Sequence, residues 1–418
     1  MIKKKLFKNT IMLYLMNFSG YFFSLITVPY QTRVLSISHF GLLSFAVGIM
    51  NYFQLFINFG FMLSATEEVS LNRDNHKCLN EIVTSVFLVR LVLILLSFLF
   101  LLILLQIIPK FSESSNIFYI FFFATALESL LPVFFLRGME DMQTIAMVTF
   151  LSKAFTTILM FKIIRSDSDY LFVPWLRVAG AFISLFIAYG IIGKKYQISL
   201  TRVPFFEVLK RIKKSSGYFF SRLASFFYRG CNTIVLGLIS PTATLALYTS
   251  VEKIVNTGMA ISSPIADSLF PYMVHTRDFK TAWKLLKTFF PFLLFGAIIG
   301  TVYAEQIVVC IFGSRYAQSS NVLRALMPLI VVALPNYIIA FPVLVPMGLG
   351  KLSNYANLIG AGFHIVGLFI LYFRGHISII SVAVLASITE SIILLFRIGL
   401  IIKYRSLLNT VPSGMELY

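Results

Sequence analysis

The sequence predicts an all-α protein that crosses a membrane twelve times. Three observations predict it. The chain has 418 residues, 58% of them hydrophobic and only 12% charged, against roughly 25% charge in a soluble protein. Apolar runs able to cross a hydrocarbon core of about 30 Å recur from one end to the other. The runs lack the alternation of a membrane barrel, and only helices and closed barrels satisfy their backbone in lipid.

In order, the runs cover residues 10–35, 40–63, 82–108, 116–138, 144–164, 170–193, 217–239, 243–270, 285–312, 322–348, 354–374 and 377–402. The connections are short, and no soluble domain is expected. Met1 to Lys8 is basic and leads into an apolar segment too long for a signal-peptide core. No small-residue cleavage site follows, so the segment is expected to stay as the first span.

The longest polar interruption is residues 194–215. It carries Lys194, Lys195, Arg202, Lys210, Arg211, Lys213 and Lys214 with one acid, Glu207. It divides the chain into a six-helix lobe at 1–193, a basic cytoplasmic linker at 194–215, and a six-helix lobe with a short tail at 216–418. Phe205, Phe206, Val208, Leu209 and Ile212 give the linker the pattern of an amphipathic helix on the inner leaflet. An ordinary basic loop is the alternative.

The formal net charge is +18. A nucleic-acid partner is excluded, because the cations are spread through short loops and apolar runs. Positive charge in such loops reports topology. With the amino terminus inside, the inner segments hold Lys3, Lys4, Lys5, Lys8, Arg73, Lys77, Arg137, the bridge, Arg277, Lys280, Lys351, Lys403 and Arg405. The outer loops hold little beyond Lys110, Arg165, Arg315 and Arg374. Both termini are therefore expected in the cytoplasm. Cys78, Cys231 and Cys310 are far apart and form no metal or redox spacing.

Three markers recur in order at an offset of about 200 residues. SGYFFS stands at Ser19–Ser24 and at Ser216–Ser221. GLLSFAVGI from Gly41 answers TLALYTSVEKI from Thr244, and NRDNHKCLNEI from Asn72 answers TRDFKTAWKLL from Thr276. Six spans per half is an even number, so the halves point the same way. The expected relation is a parallel pseudo-twofold along the membrane normal, as in transporters whose lobes rock around a central site.

A charge at mid-bilayer costs roughly 2.5–3.5 kcal/mol on insertion scales, so it normally faces a cavity or a partner. The spans contain Arg90, Glu128, Lys153, Lys162, Arg177, Arg222, Arg229, Glu252, Lys253, Asp267, Glu305, Arg324, His364, Glu390 and Arg397. The excess is cationic and suits a water-filled lumen for an anionic substrate. Arg222 and Arg229 are seven apart on one helix face with no acid between them, which favours the lumen. Lys162, Arg177 and Arg397 lie near helix ends, where snorkelling explains them. Arg90 and Lys153 have Glu128 as a structural partner in the alternative reading. Asp267 is a proton or cation site or a cap near Pro271. His364 and His39 read as packing and turn residues. Pro29, Pro264, Pro271, Pro328, Pro335, Pro342 and Pro346 mark expected helix breaks.

No phosphate-binding loop, dinucleotide fingerprint, zinc-protease motif or nucleophile elbow occurs. No large outer loop carries paired acids. A transporter is expected rather than an enzyme. Without a nucleotide site, its energy comes from an ion gradient, the membrane potential or the substrate gradient.

Specific residues then point to a family. VPYQTRVLSISHFGLLSFA (Val28–Ala46), FGFMLSATEEVSLNRD (Phe59–Asp74) and PVFFLRGMEDM (Pro132–Met142) resemble the O-antigen flippases (Wzx type) of the multidrug/oligosaccharidyl-lipid/polysaccharide exporter superfamily. The resemblance covers the whole chain. It implies a fold like that of the superfamily's multidrug (MATE) exporters, and transfer of an undecaprenyl-diphosphate-linked oligosaccharide unit from the cytoplasmic to the periplasmic leaflet of a bacterial inner membrane, for lipopolysaccharide assembly. It also implies alternating access through a cationic lumen, no cofactor, and H⁺ or Na⁺ gradient coupling. The implied partners are membrane lipid, a polysaccharide polymerase and a chain-length regulator. The motif carries over Arg33, and Lys253 fills a position often cationic in the family. Arg90, Lys153, Arg222, Arg229 and Arg324 complete the expected lumen set, with Glu128, Glu252, Asp267 and Glu390 as charge partners or coupling groups. Three positions depart from the family pattern: Leu35-Ser36 stands for Leu-Gly, Phe134 or Phe135 for a Trp, and Glu67 for a residue that is often basic.

The rival readings are a cation-coupled multidrug exporter of the same superfamily, a membrane polymerase or acyltransferase, and a scaffold of the assembly complex. The first should favour acids in its lumen, and the second one indispensable acid or His.

Overall fold

A computed structural model describes residues 20–404, apart from the side chains of residues 220–222, 224–229, 271 and 275. Helices dominate, and no strand occurs among the described residues. Nine helical stretches among them are long and apolar enough to cross a membrane. They account for the second to sixth and the ninth to twelfth of the expected runs. The first run begins before the described chain, and the seventh and eighth fall in the helices Phe205–Ile239, Thr242–Ala260 and Ser262–Thr276.

The chain divides into two compact units. The first comprises residues up to 223 with 237–243, and the second residues 224–236 with 244 onward. In the first unit, α1 covers residues 20–34 and stays helical through Pro29. It is followed by α2 (Ile37–Asn58), α3 (Phe61–Leu71), α4 (His76–Ile107), α5 (Pro109–Ser112), α6 (Ser115–Leu130), α7 (Val133–Gly138), α8 (Met142–Ile163), α9 (Phe172–Tyr196) and the first part of α10 (Phe205–Ile239). Starts are set by caps that satisfy otherwise unpaired amides. Ser36 accepts from the His39 amide at 3.2 Å, Asn75 from Cys78 at 3.1 Å and Asp141 from Thr144 at 3.2 Å.

Two breaks shape this unit. Between α2 and α3 the chain passes through Phe59 at φ 39° and Gly60 at φ 78°. A side chain at Gly60 would meet the Ser215 carbonyl of α10 at 2.6 Å, so glycine is required by both conformation and space. Between α6 and α7, Pro132 denies the helix a donor and forces Leu131 out of it. Phe61, Ala65 and Val69 of α3, Val83 and Val86 of α4, and Phe134 and Phe135 of α7 form one buried core around these breaks.

Lipid-facing surface is legible on α4. Leu88, Val92, Leu95, Leu99, Ile103 and Ile107 recur every three or four residues and are all exposed, as one apolar stripe of a helix must be when its solvent is lipid.

The second unit contains the later part of α10, α11 (Thr242–Ala260, from Thr244 on), α12 (Ser262–Thr276), α13 (Phe279–Val302), α14 (Ala304–Phe312), α15 (Ser319–Ile338), α16 (Gly350–Phe373) and α17 (Ile379–Lys403). The expected single run 243–270 is two helices, with Pro264 in the first turn of the second. The run 322–348 is α15 followed by a π-helical turn at Ile339–Val343. Pro342 cannot donate to Ile338, and Leu344 instead bonds Ile339 five residues back at 3.0 Å.

Candidate functional site

Each unit buries polar groups at membrane depth, and these are the candidate site residues. In the first unit, Glu128 of α6 meets Arg177 of α9 through two parallel bonds. Nε donates to Oε1 and Nη2 to Oε2, both at 2.7 Å. Gln54 of α2 donates to Oε2 at 3.4 Å. Both charged side chains keep about a quarter of their surface open, 26% and 23%. Lys153 of α8 interacts electrostatically with both, and a Cβ on Gly20 of α1 would lie 2.9 Å from its Nζ. The cluster holds two cations and one acid, contributed by α6, α8 and α9. The snorkelling expected of Arg177 is corrected here: its guanidinium is engaged by a bidentate carboxylate, a geometry that holds it strongly.

Arg90 of α4 lies elsewhere and is 1% exposed. Nη1 donates to the Leu131 carbonyl at 3.0 Å and Nη2 to Asn58 Oδ1 at 3.1 Å. Its guanidinium carbon lies 5.3 Å from the centre of the Phe134 ring. Leu131 ends α6 and Asn58 ends α2, so one cation satisfies acceptors at both breaks of the unit. The reading of Arg90 as a partner of Glu128 is corrected too, because Arg177 occupies that acid.

In the second unit, Arg397 of α17 donates to Asn336 Oδ1 at 3.0 Å and to Asn357 Oδ1 at 2.9 Å. Asn336 donates in turn to Glu390 Oε2 at 3.1 Å and to its carbonyl at 3.2 Å. Arg397 is buried, which corrects the snorkelling expected of it. A second chain joins His364 to Thr389 Oγ1 at 2.9 Å and to Asn232 Oδ1 at 2.8 Å, and Asn232 to the Tyr248 hydroxyl at 3.2 Å.

The remaining expected residues are dispersed. Arg33 is exposed on the last turn of α1. Arg324 of α15 donates to Asn321 Oδ1 at 2.7 Å and to the Thr301 carbonyl at 3.3 Å. Glu252 and Lys253 are half-buried neighbours on α11, with Thr233 bonded to the acid. Asp267 is exposed on α12. The side chains of Arg222 and Arg229 lie outside the described residues. The amides Gln54, Asn58, Asn232, Asn336 and Asn357 escaped the sequence reading, which tracked charges alone. The signal was available, since an amide inside an apolar run also needs a partner.

Glu67, the departure from the family pattern, has a structural partner. Lys214 Nζ of α10 lies 3.2 Å from its Oε2 and the Tyr218 hydroxyl 3.3 Å. Its neighbour Glu68 accepts from Arg211 Nε at 2.9 Å. At the start of α8, Asp141 gathers Thr144, Lys195 at 2.7 Å and Tyr196 at 2.9 Å. Burial opposes its charge, but these donors win and hold its carboxyl below the usual range.

This is the architecture of a polytopic helical membrane protein, and solved structures share it. An inward-facing multidrug-resistance MATE family transporter of the MOP superfamily matches with a TM-score of 0.70 at 14% identity, covering 93% of this chain and 96% of that one. The lipid II flippase MurJ in an inward closed conformation matches with a TM-score of 0.71 at 13% identity, covering 94% and 87%. The sequence family follows from residues 6–277, which match the polysaccharide biosynthesis protein model; the chain belongs to that family. A "Putative O-antigen transporter" of Shigella dysenteriae is 23% identical over 398 residues, 94% of this chain and 98% of that one. A protein of the same description from Escherichia coli (strain K12) is 24% identical over 274 residues, 66% of each. The resemblance to O-antigen flippases is upheld, as is the expectation of a transporter rather than an enzyme.

Proposed function

We propose that this protein moves an undecaprenyl-diphosphate-linked oligosaccharide unit between the leaflets of a bacterial inner membrane, towards the periplasm, by alternating access through a cationic lumen. The observation that carries the reading is the net positive, partly open cluster of Lys153, Arg177 and Glu128 inside the spans of the first unit. A diphosphate cannot cross hydrocarbon unaided, and a guanidinium with an ammonium beside it replaces the water that its oxygens lose. The matched family and the description of both relatives support the same substrate class. Lys153 and Arg177 are the primary phosphate contacts of the first unit, with Arg33 at the end of α1. Lys253, Arg324, Arg222 and Arg229 supply the cations of the second half. Arg90 acts from behind by holding the breaks that position α6 and α2. Glu128, Glu252, Asp267 and Glu390 are the candidates for coupling to a proton or sodium gradient. Both termini lie in the cytoplasm, and the polymerase and chain-length regulator receive the unit on the other side.

The test is deletion of the gene in its host, complemented by wild type or by Lys153→Met at matched membrane abundance. Surface polysaccharide and the leaflet position of the lipid-linked unit are measured. Accumulation of complete units on the cytoplasmic side in the null strain and in Lys153→Met supports the reading. Units that reach the periplasm unpolymerised in the null strain would make this a later component of the pathway.

A further inference from the structure

The first part of α10, in the first unit, has two faces of different chemistry. At about 100° per residue, Val208, Arg211, Ile212, Ser215 and Phe219 of α10 fall in one sector of about 100°. Of these, Arg211, Ser215 and Phe219 are buried. Arg211 bonds Glu68 at 2.9 Å and Ser85 at 3.0 Å, Ser215 bonds Ser64 at 2.7 Å, and Phe219 stacks on Phe59 with ring centres 4.8 Å apart. This face is docked on α3 and α4. The opposite sector of about 140° carries Phe205, Phe206 and Leu209 together with Lys210 and Lys213. Phe205 is 79% exposed, Phe206 72% and Leu209 50%, and both lysines are exposed.

The depth of this outer face is fixed by α4. The Ser199 amide bonds Asn80 Oδ1 at 3.0 Å, the Thr201 amide bonds Thr84 Oγ1 at 3.1 Å, and Arg211 bonds Ser85. Residues 199–211 are thus tied to a stretch of α4 only about 7.5 Å long, from Asn80 to Ser85. Thr201 and Arg211 are anchored to adjacent residues of that helix. The stretch is the place where α4 changes from polar to apolar, since the exposed stripe beginning at Leu88 starts about one turn further on. The chain between the two anchors therefore runs along the membrane boundary rather than away from it.

We propose that the outer face of α10, Phe205, Phe206 and Leu209 with Lys210 and Lys213, is a binding surface for the anionic phospholipid headgroup layer of the membrane in which the protein sits. Three large apolar side chains at the boundary enter the upper acyl region, and the lysines beside them reach the headgroup phosphates. Arg211 and Lys214 face inward to Glu68 and Glu67, so the positive charge of the outer face is that of Lys213 and Lys210, which suits an anionic surface. Glu207, 3.9 Å from Lys210, is the single acid of the linker.

The experiment uses the full chain with Trp175 and Trp283 changed to Phe and Phe206→Trp as the reporter. The protein is reconstituted in equal mixtures of phosphatidylcholine and phosphatidylglycerol, with bromine on the acyl chains of one lipid at a time. We expect quenching in both cases, several-fold stronger when phosphatidylglycerol carries the bromine. Lys210→Gln with Lys213→Gln should erase the preference and leave the quenching. Equal quenching by both lipids in the parent protein overturns the anionic preference. An unquenched, water-like emission overturns the membrane assignment and leaves the face for a protein partner. Circular dichroism and monodisperse elution of each variant show that folding is retained.

Discussion

Replacing Arg90 by Met tests whether this cation holds the fold rather than a substrate. The guanidinium donates to the Leu131 carbonyl at 3.0 Å and to Asn58 Oδ1 at 3.1 Å, and it is 1% exposed. Methionine keeps most of the volume and removes both donors. Each acceptor left unpaired in a dry interior costs about 1–3 kcal/mol, so the two cost about 2–6 kcal/mol together. Removing a buried charge returns part of this, which gives a net loss of about 2–4 kcal/mol. The cost should appear as a lower midpoint of thermal unfolding in lipid nanodiscs and a lower steady-state abundance. Transport per folded molecule should stay within a few-fold of wild type, since the breaks re-form once the chain is folded. Lys153→Met should do the reverse, with stability near wild type and transport lost. A stable Arg90→Met protein that does not transport would refute the reasoning and place Arg90 on the substrate.

Gly60→Ala must adopt φ 78° and bring a methyl to 2.6 Å from the Ser215 carbonyl; the left-handed conformation alone costs about 1–2 kcal/mol, and native-state hydrogen exchange should show the break between α2 and α3 opening more often. Glu68→Arg sets two guanidiniums where Arg211 now bonds a carboxylate at 2.9 Å; proteolysis within residues 199–204 should accelerate at least several-fold, and combining it with Arg211→Glu should restore resistance. Asp141 has a carboxyl pKa held below its usual value in the fold. Its contribution is therefore complete above the unfolded value of about 4 and disappears as pH falls through the lower folded value. Protection of the Thr144 amide, the ratio of its intrinsic to its observed exchange rate, should be high at neutral pH and fall on acidification into that window, whereas Asp141→Ala should be weakly protected throughout and show no such step.

The spans were legible because the bilayer imposes a length and a composition on each crossing, and α4, α8, α9, α16 and α17 begin and end within a few residues of their apolar runs. The breaks were not: the expected runs 40–63 and 116–138 pass through Gly60 and Pro132, whereas Pro29, Pro328 and Pro335, expected as breaks, lie inside continuous helices. Pro132 and Gly60 are visible as letters, but only the approach of Ser215 to Gly60 and the docking of Arg90 on Leu131 show what the breaks accommodate. The pairings were not legible, because they join residues far apart in the chain: Arg177 and Glu128 are 49 positions apart, Arg397 and Asn336 are 61 apart. Proximity to a helix end suggested snorkelling for both arginines. A buried acceptor within reach outweighs the interface, because an ordered charge-assisted bond replaces the water that the head group would otherwise seek.

Burial divides the intramembrane cations of this chain. The sequence suggested a cationic lumen for Arg90 and snorkelling to the interface for Arg397. Arg90 and Arg397 are instead 1% and 6% exposed and bonded to backbone or amide oxygens, where a cation holds broken or adjacent helices. Arg177 is paired but partly open, and Lys153 stands beside it. The proposed function therefore rests on the partly open pair rather than on the closed ones. The proposed function requires Arg177 to turn from Glu128 towards a phosphate, and Gln54, 3.4 Å from Oε2, is the donor that would stay on the acid. Gln54→Leu removes that donor and should slow transport while leaving the ion pair in place; a Gln54→Leu protein that transports at the wild-type rate would show that the pair stays closed throughout the cycle.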